Sequence, residues 1–335
     1  MAQPIERRLA MYRLTMIVIL AVLLFSGYWF AGSQLLQAAP DRTARLLAAE
    51  GVDLQVGSVA TTGFPARFDT GLTDLRLTHP AWAWQGARLD IQADSLRPLA
   101  ATVTFPSEQT LRIASQSLRV TSQDWQISAA LQPTTRLAFD RGSLRMANSE
   151  VVSDAGWQTG LGGLVATIAL AADQEAIYHM TLAADNITFP RLLRDQIDPQ
   201  GTLGPQLDAV RGAARLTLAR PLDRNLQRRL PDLDHVALDD LQIDWGPVIV
   251  QMSGDIAIDA AGMPTGVIML RTRQWQTVID LLIAARIIDA GLAQTVTRLA
   301  GFMVDGNGVL NIPLAFQDGI MLAGPMPIGP VPRLR

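Results

Sequence analysis

Asp239, Asp240 and Asp244 form the densest acidic group in the chain. Carboxylates held close together can act as general acid and base. Side chains alternate between the two faces of a strand, however, so these three would not all share one side. A solvated strand face is the simpler expectation, and a hydrolase built on them the weakest of three functional readings. His79, His179 and His235 sit in unrelated segments without metal-ligand spacing around them, so structural or solvent-edge roles are expected. Gly160-Leu-Gly-Gly163 lacks the full G-x-G-x-x-G of a dinucleotide fingerprint and reads as a loop. No G-x-S-x-G elbow occurs. Asn186-Ile-Thr188 matches a glycosylation sequon, which is uninformative without a known host. The expectation is no catalytic residue, no metal and no cofactor.

Composition narrows the classes further. Every one of the 28 basic residues is arginine, and the chain has no cysteine. Schiff-base chemistry on pyridoxal phosphate and a P-loop both need lysine. Disulfides, thiolate zinc sites and thiol nucleophiles need cysteine. A net charge of −3 argues against a nucleic-acid binder. With 49% hydrophobic and 18% charged residues, the 335-residue chain is far from the disordered regime.

The elements that would position any site begin with a membrane segment. No charged residue lies between Arg13 and Asp41. The run 14–36 is long enough to cross about 30 Å of hydrocarbon as a helix. Leu14, Ile17, Leu20, Leu24, Tyr28 and Trp29 are the anchor residues, the last two placed as an interfacial aromatic belt. Arg7, Arg8 and Arg13 precede the run, so residues 1–13 are expected in the cytoplasm and the body in the periplasm. A cleaved signal peptide is the rival, but its apolar core would be shorter.

Beyond the span, period-two alternation dominates. The expectation is a mainly β (α+β) fold: a curved antiparallel sheet with a few packed helices. Strands are expected at 54–59, 68–77, 89–94, 111–120, 125–131, 136–139, 164–170, 178–187, 215–218, 267–270 and 310–316. Gln317-Asp-Gly319 signals a hairpin into Ile320–Leu322. Asp41 is expected to cap a short helix ended by Gly51, with further short helices at 191–196 and 222–230. Trp275, Val278, Ile279, Leu282, Ile283 and Ile287 keep helical spacing, resumed after Gly291 by Leu292, Val296 and Leu299. The proline-rich tail from Ala323 is unsuited to a central strand. Leu72–Leu77 and Leu238–Ile243 break phase alike and each precedes tryptophan, which predicts two bulges and hints at related halves. With Asp198–Pro205 as seam, the halves are 37–198 and 199–335, the second carrying the helical segment 274–303.

Gly63-Phe-Pro-Ala-Arg67, Trp84, Ser95-Leu-Arg-Pro98 and the closing Gly308–Gly319 and Leu322–Pro330 segments carry a resemblance. The chain resembles an alphaproteobacterial family catalogued only as a domain of unknown function. That resemblance implies a single-span inner-membrane protein with a periplasmic β-rich body. Arg97 departs from a common family variant, which has an aromatic residue there. By architecture alone the layout is also similar to AsmA-like envelope proteins, implicated in lipid traffic.

Many one-sided strands accompany few helices to cover them. Either the apolar face closes into a core, or part stays open as an acyl-chain groove, with Leu241, Ile243 and Trp245 in it. Expected partners are the bilayer, and a lipid or another envelope protein. The first reading is a non-enzymatic protein of envelope maintenance that handles lipid. The second is a structural module that presents edges and loops to a partner.

Overall fold

The structure is a computed structural model that describes residues 3–227, 230–285, 288, 291, 293–324, 326–331 and 333–334. The chain divides into two compact units, Met1–Pro106 and Ser107–Arg335. The breaker-rich 198–205 stretch is therefore not the boundary. It is a loop inside the second unit, tied up by the Asp198 carboxylate, which accepts the Thr202 and Leu203 N–H groups.

In the first unit α1 (Gln3–Gln37) runs unbroken through the expected span, with Leu14 and Ile17 both within it. Among the described residues it is the one helix long and apolar enough to cross a membrane. α2 (Ala39–Ala49) follows with Pro40 in its first turn. Its N-cap is Ala38, so Asp41 acts as a first-turn charge on the helix dipole and not as the cap. Gly51, at φ 77, ends the helix as expected, with Val52 N–H bonded to Leu47 O and Gly51 N–H to Ala48 O. β1 (Asp53–Gln55) and β2 (Ser58–Thr62) share one edge of β3 (Arg67–His79), so the expected strand 54–59 is two strands. β4 (Trp82–Asp94) takes the other edge of β3, and β5 (Arg97–Thr104) pairs with β4.

The predicted bulge in Leu72–Leu77 takes a different form. Thr73 pairs with Arg88 and Leu75 with Gly86, so the register never shifts. Asp74, left-handed at φ 51, absorbs the change of phase and lets both Leu72 and Leu75 be buried. The second site does shift: the pairing of Leu238–Leu241 slips against both neighbouring strands. The two segments thus use different devices, which removes the motif's support for related halves.

The second unit is an antiparallel meander. β6 (Glu108–Ile113) pairs with β7 (Gln116–Thr121), where a single strand 111–120 was expected. Ala114, at φ 52, makes the turn without the glycine or asparagine that would have announced it. β7 and β8 (Asp124–Leu131) share one edge of β9 (Phe139–Ser153). Then come β10 (Gln158–Leu170), β11 (Ile177–Thr188), α3 (Arg191–Ile197) and β12 (Gln206–Leu218). β13 (Leu233–Trp245), β14 (Val248–Ile258) and β15 (Pro264–Thr272) lead to α4 (Trp275–Ala284) and α5 (Ala293–Phe302). β16 (Leu310–Gln317), β17 (Ile320–Ala323) and β18 (Met326–Pro330) complete the unit. Each strand from β9 to β18 pairs antiparallel with the next. The Asp318-Gly319 turn has both residues at positive φ, as the hairpin signal required. Of the strand expected at 136–139 only Phe139 is in a strand, and Gly160–Gly163 is strand, not loop. Among the described residues of the helix expected at 222–230 there is a 3-10 turn at Arg224–Gln227; Arg228 and Arg229 lie outside the described residues. Ile287 and Leu292 fall outside the described residues.

One feature crosses four strands. Asn148 and Asn186 are left-handed at φ 44 and 51. Pairing is interrupted there and resumes in the same register, leaving Asn148, Gly162, Asn186 and Asp208 as a transverse row on β9–β12. A Cβ on Gly162 would lie 2.8 Å from the Asn186 Cβ, so close approach of the two strands demands glycine. Across the row the apolar step is three, as in Leu161–Leu164, Ala184–Ile187 and Leu207–Val210.

Candidate functional site

Antiparallel partners place their side chains on the same face, so the register defines the two faces of the second unit. One carries Ile127 of β8, Leu144 of β9, Ala166 of β10, Leu182 of β11, Gly212 of β12 and Leu241 of β13, joined pair by pair. It continues through Met252 of β14, Leu270 of β15 and Ile312 of β16. The other carries Arg145, Arg211, Arg215, Gln242, Asp244, Gln251 and Arg271. An alternating sequence produces this partition directly. Most apolar-face side chains are only half-buried, and Met180 and Ile127 are 36% and 40% exposed.

At the β15–β18 end, α4 and α5 lie on this face. Ile279, Ala300 and Leu310 form a buried cluster with Trp275, Ile283 and Val296 packed around it. Beside it lies a cavity of about 210 Å³. Its walls are apolar throughout, with Leu270, Val278, Leu282, Leu299 and Met321 among them. That is less than the roughly 300–1,000 Å³ of a pocket for a whole drug-sized ligand.

The three groove residues singled out from sequence are all on this face. Leu241 pairs with Gly212 and Met252, Ile243 with Val210 and Val250, and Trp245 with Val248. A Cβ on Gly212 would come within 3.0 Å of Leu241 Cδ1, so glycine makes room for the leucine. Trp245 meets Phe189 at 5.4 Å, and its buried indole N–H has no hydrogen-bond partner among the described residues. The helix-covered cavity was not anticipated. Its signal was the helical spacing from Trp275 to Leu282, which does not say that the helix walls a space.

The three carboxylates of the Asp239–Asp244 group take up separate positions. Asp239 and Asp244 form ion pairs with Arg215 and Arg211 at 3.4 and 3.1 Å, and Asp240 is exposed opposite Ala213. His235 lies 3.3 Å from Asp255 on the polar face, His79 stacks on Trp82, and His179 is exposed. Among the described residues no three His, Asp or Glu side chains gather as metal ligands.

Tyr178 is fully buried, 6.2 Å from Phe139, and its hydroxyl accepts the Leu222 N–H at 2.9 Å. Burial holds the phenol above its ordinary pKa, the Leu222 N–H opposing the shift. The folded state therefore keeps its proton where the unfolded chain begins to lose it. This contribution is whole below about pH 10 and declines as pH rises through the folded-state value. Tyr178→Phe should cost about 1–2 kcal/mol at neutral pH by orphaning the Leu222 N–H. Urea unfolding across pH should also show a flatter alkaline limb for the variant.

The anchor residues join the first unit as well as the span. Leu20 and Leu24 are exposed, while Trp29 stacks on Phe68 at 5.6 Å and meets Phe64 edge-on at 5.3 Å. Trp29 Nε1 donates to Arg67 O at 2.8 Å, and the Tyr28 hydroxyl to Ser95 O at 3.1 Å. A Cβ on Gly32 would reach within 2.9 Å of the Phe68 ring, so α1 sits tightly against β3.

Residues 29–332 match a family model described as an uncharacterized protein conserved in bacteria, DUF2125, and the chain belongs to that family. No curated protein and no solved structure matches it.

Proposed function

For this member of DUF2125 we propose a non-enzymatic role in envelope maintenance: it holds lipid acyl chains against the apolar face of its second unit. The α1 span ties it to the inner membrane, N-terminus in the cytoplasm and body in the periplasm. The observation that carries the reading is the continuous apolar face from β8 to β16, half-exposed and ending in a cavity with apolar walls. Soluble proteins rarely leave so wide an apolar face to water. Each methylene fully removed from water there contributes about 0.8 kcal/mol, so a chain of about ten could recover much of what leaving the bilayer for water would cost.

Native mass spectrometry of the full chain from detergent or nanodiscs should show phospholipid adducts retained after activation. Consistently empty protein would reject the lipid reading. Crosslinking in cells separates it from the structural-module alternative, which expects protein adducts without lipid adducts. A C-terminal alkaline phosphatase fusion tests the topology, and an inactive reporter would place the body in the cytoplasm.

A further inference from the structure

The first unit carries two hairpin tips beside the outer end of α1. The β2–β3 tip holds Phe64 and Pro65, and the β4–β5 tip holds Leu96. Phe64 is 52% and Leu96 78% exposed, unusual for large apolar residues at the ends of tight turns. Both tips are bonded to α1 at one level, through Trp29 to Arg67 O and Tyr28 to Ser95 O. Ser95 Oγ ties the tips together by donating to Pro65 O and Ala66 O at 2.8 and 2.7 Å.

That level can be located along the membrane normal. From Arg13, the last charge before the span, to Tyr28 the helix rises roughly 22 Å, short of the ~30 Å hydrocarbon thickness. The apolar run continues past Trp29 through Phe30, Ala31 and Gly32, and Phe30 is 63% exposed. A bilayer that covers this run reaches the tips. Exposed Arg97 and Arg67, the latter ion-paired with Asp69 at 3.2 Å, flank them, near where lipid phosphate groups would lie.

We propose that Phe64 and Leu96 insert into the outer leaflet interface, so that the first unit grips the membrane at a second place beside its own span. The surface is continuous with α1, and its occupant is the bilayer surface itself. This is independent of whether the second unit carries lipid.

The natural absence of cysteine makes single-site labelling direct. The full chain with Leu96→Cys or Phe64→Cys is spin-labelled in phosphatidylethanolamine–phosphatidylglycerol vesicles, and collisions with oxygen and with a water-soluble nickel chelate are compared. Leu24→Cys, on the lipid-exposed span, reports insertion. Gln85→Cys, exposed on β4 and about 30 Å along the strand from the tip, reports water. Label at position 96 should favour oxygen several-fold relative to label at 85, approaching the value at 24. Equal readings at 96 and 85 with a lipid reading at 24 overturn the insertion. A water reading at 24 overturns the span and the insertion with it. Leu96 makes no contact that the tip needs, so its variant stays informative if Phe64→Cys fails to fold.

Discussion

If the apolar face holds lipid, the double variant Met180→Glu/Ile243→Glu should fold and lose bound lipid. Both side chains lie on the apolar face, Met180 36% exposed and Ile243 half-buried. Neither belongs to the buried cluster under α4 and α5. The new carboxylates keep access to water, so the folding cost stays near 1–2 kcal/mol. For a bound chain the effect is larger, because the hydrocarbon must displace the hydration of two charges. Lipid retained per protein, measured by extraction and mass spectrometry, should fall at least about tenfold, equivalent to about 1.4 kcal/mol. Unchanged lipid content in a folded double variant would reject the apolar face as the site.

Gly254→Ala should be among the most damaging single substitutions in the second unit. Gly254 on β14 and Gly266 on β15 have φ 156 and 149. A Cβ on Gly254 would stand 2.1 Å from Val267 O, and one on Gly266 2.1 Å from Asp255 O. Both obstacles are backbone, so relief requires the β14–β15 ladder to open. We expect a loss of about 3–4 kcal/mol and a fall in melting midpoint of roughly 10 °C. Gly156→Ala is the control: φ is 84, but nothing lies within 4 Å of the added carbon. It should cost only about 1 kcal/mol, the conformational part alone. Equal losses at the two sites in thermal unfolding would contradict the steric account.

Alternation was a reliable guide wherever polar and apolar residues followed the pleat strictly. It located β8, β11 and β16, while β3 and β13, the strand of Leu241, Ile243 and Trp245, showed through a broken phase. The span and the α4–α5 pair were equally plain, since their periods persist over many residues. Most of β9 was missed for a physical reason. After Phe139 the strand continues as Asp140-Arg-Gly-Ser143 with no apolar residue to mark it, and its glycine is set by Phe139, whose ring lies 2.9 Å from where a Cβ on Gly142 would be. Gly160–Gly163 misled in the same way: Asp185, Asn186 and Thr188 crowd those backbones from β11, a long-range contact that local composition does not encode. The cavity depends on how α4 and α5 settle on the sheet, which helical spacing alone leaves open.

The row of Asn148, Gly162, Asn186 and Asp208 also governs which changes in chain length the meander tolerates. Each of these strands reverses its in–out parity at that point and needs the extra residue there. Deleting one residue from a single strand on either side would turn that half-strand inside out, bringing arginines inward while its neighbours kept their orientation. Lengthening or shortening is therefore confined to the connecting turns.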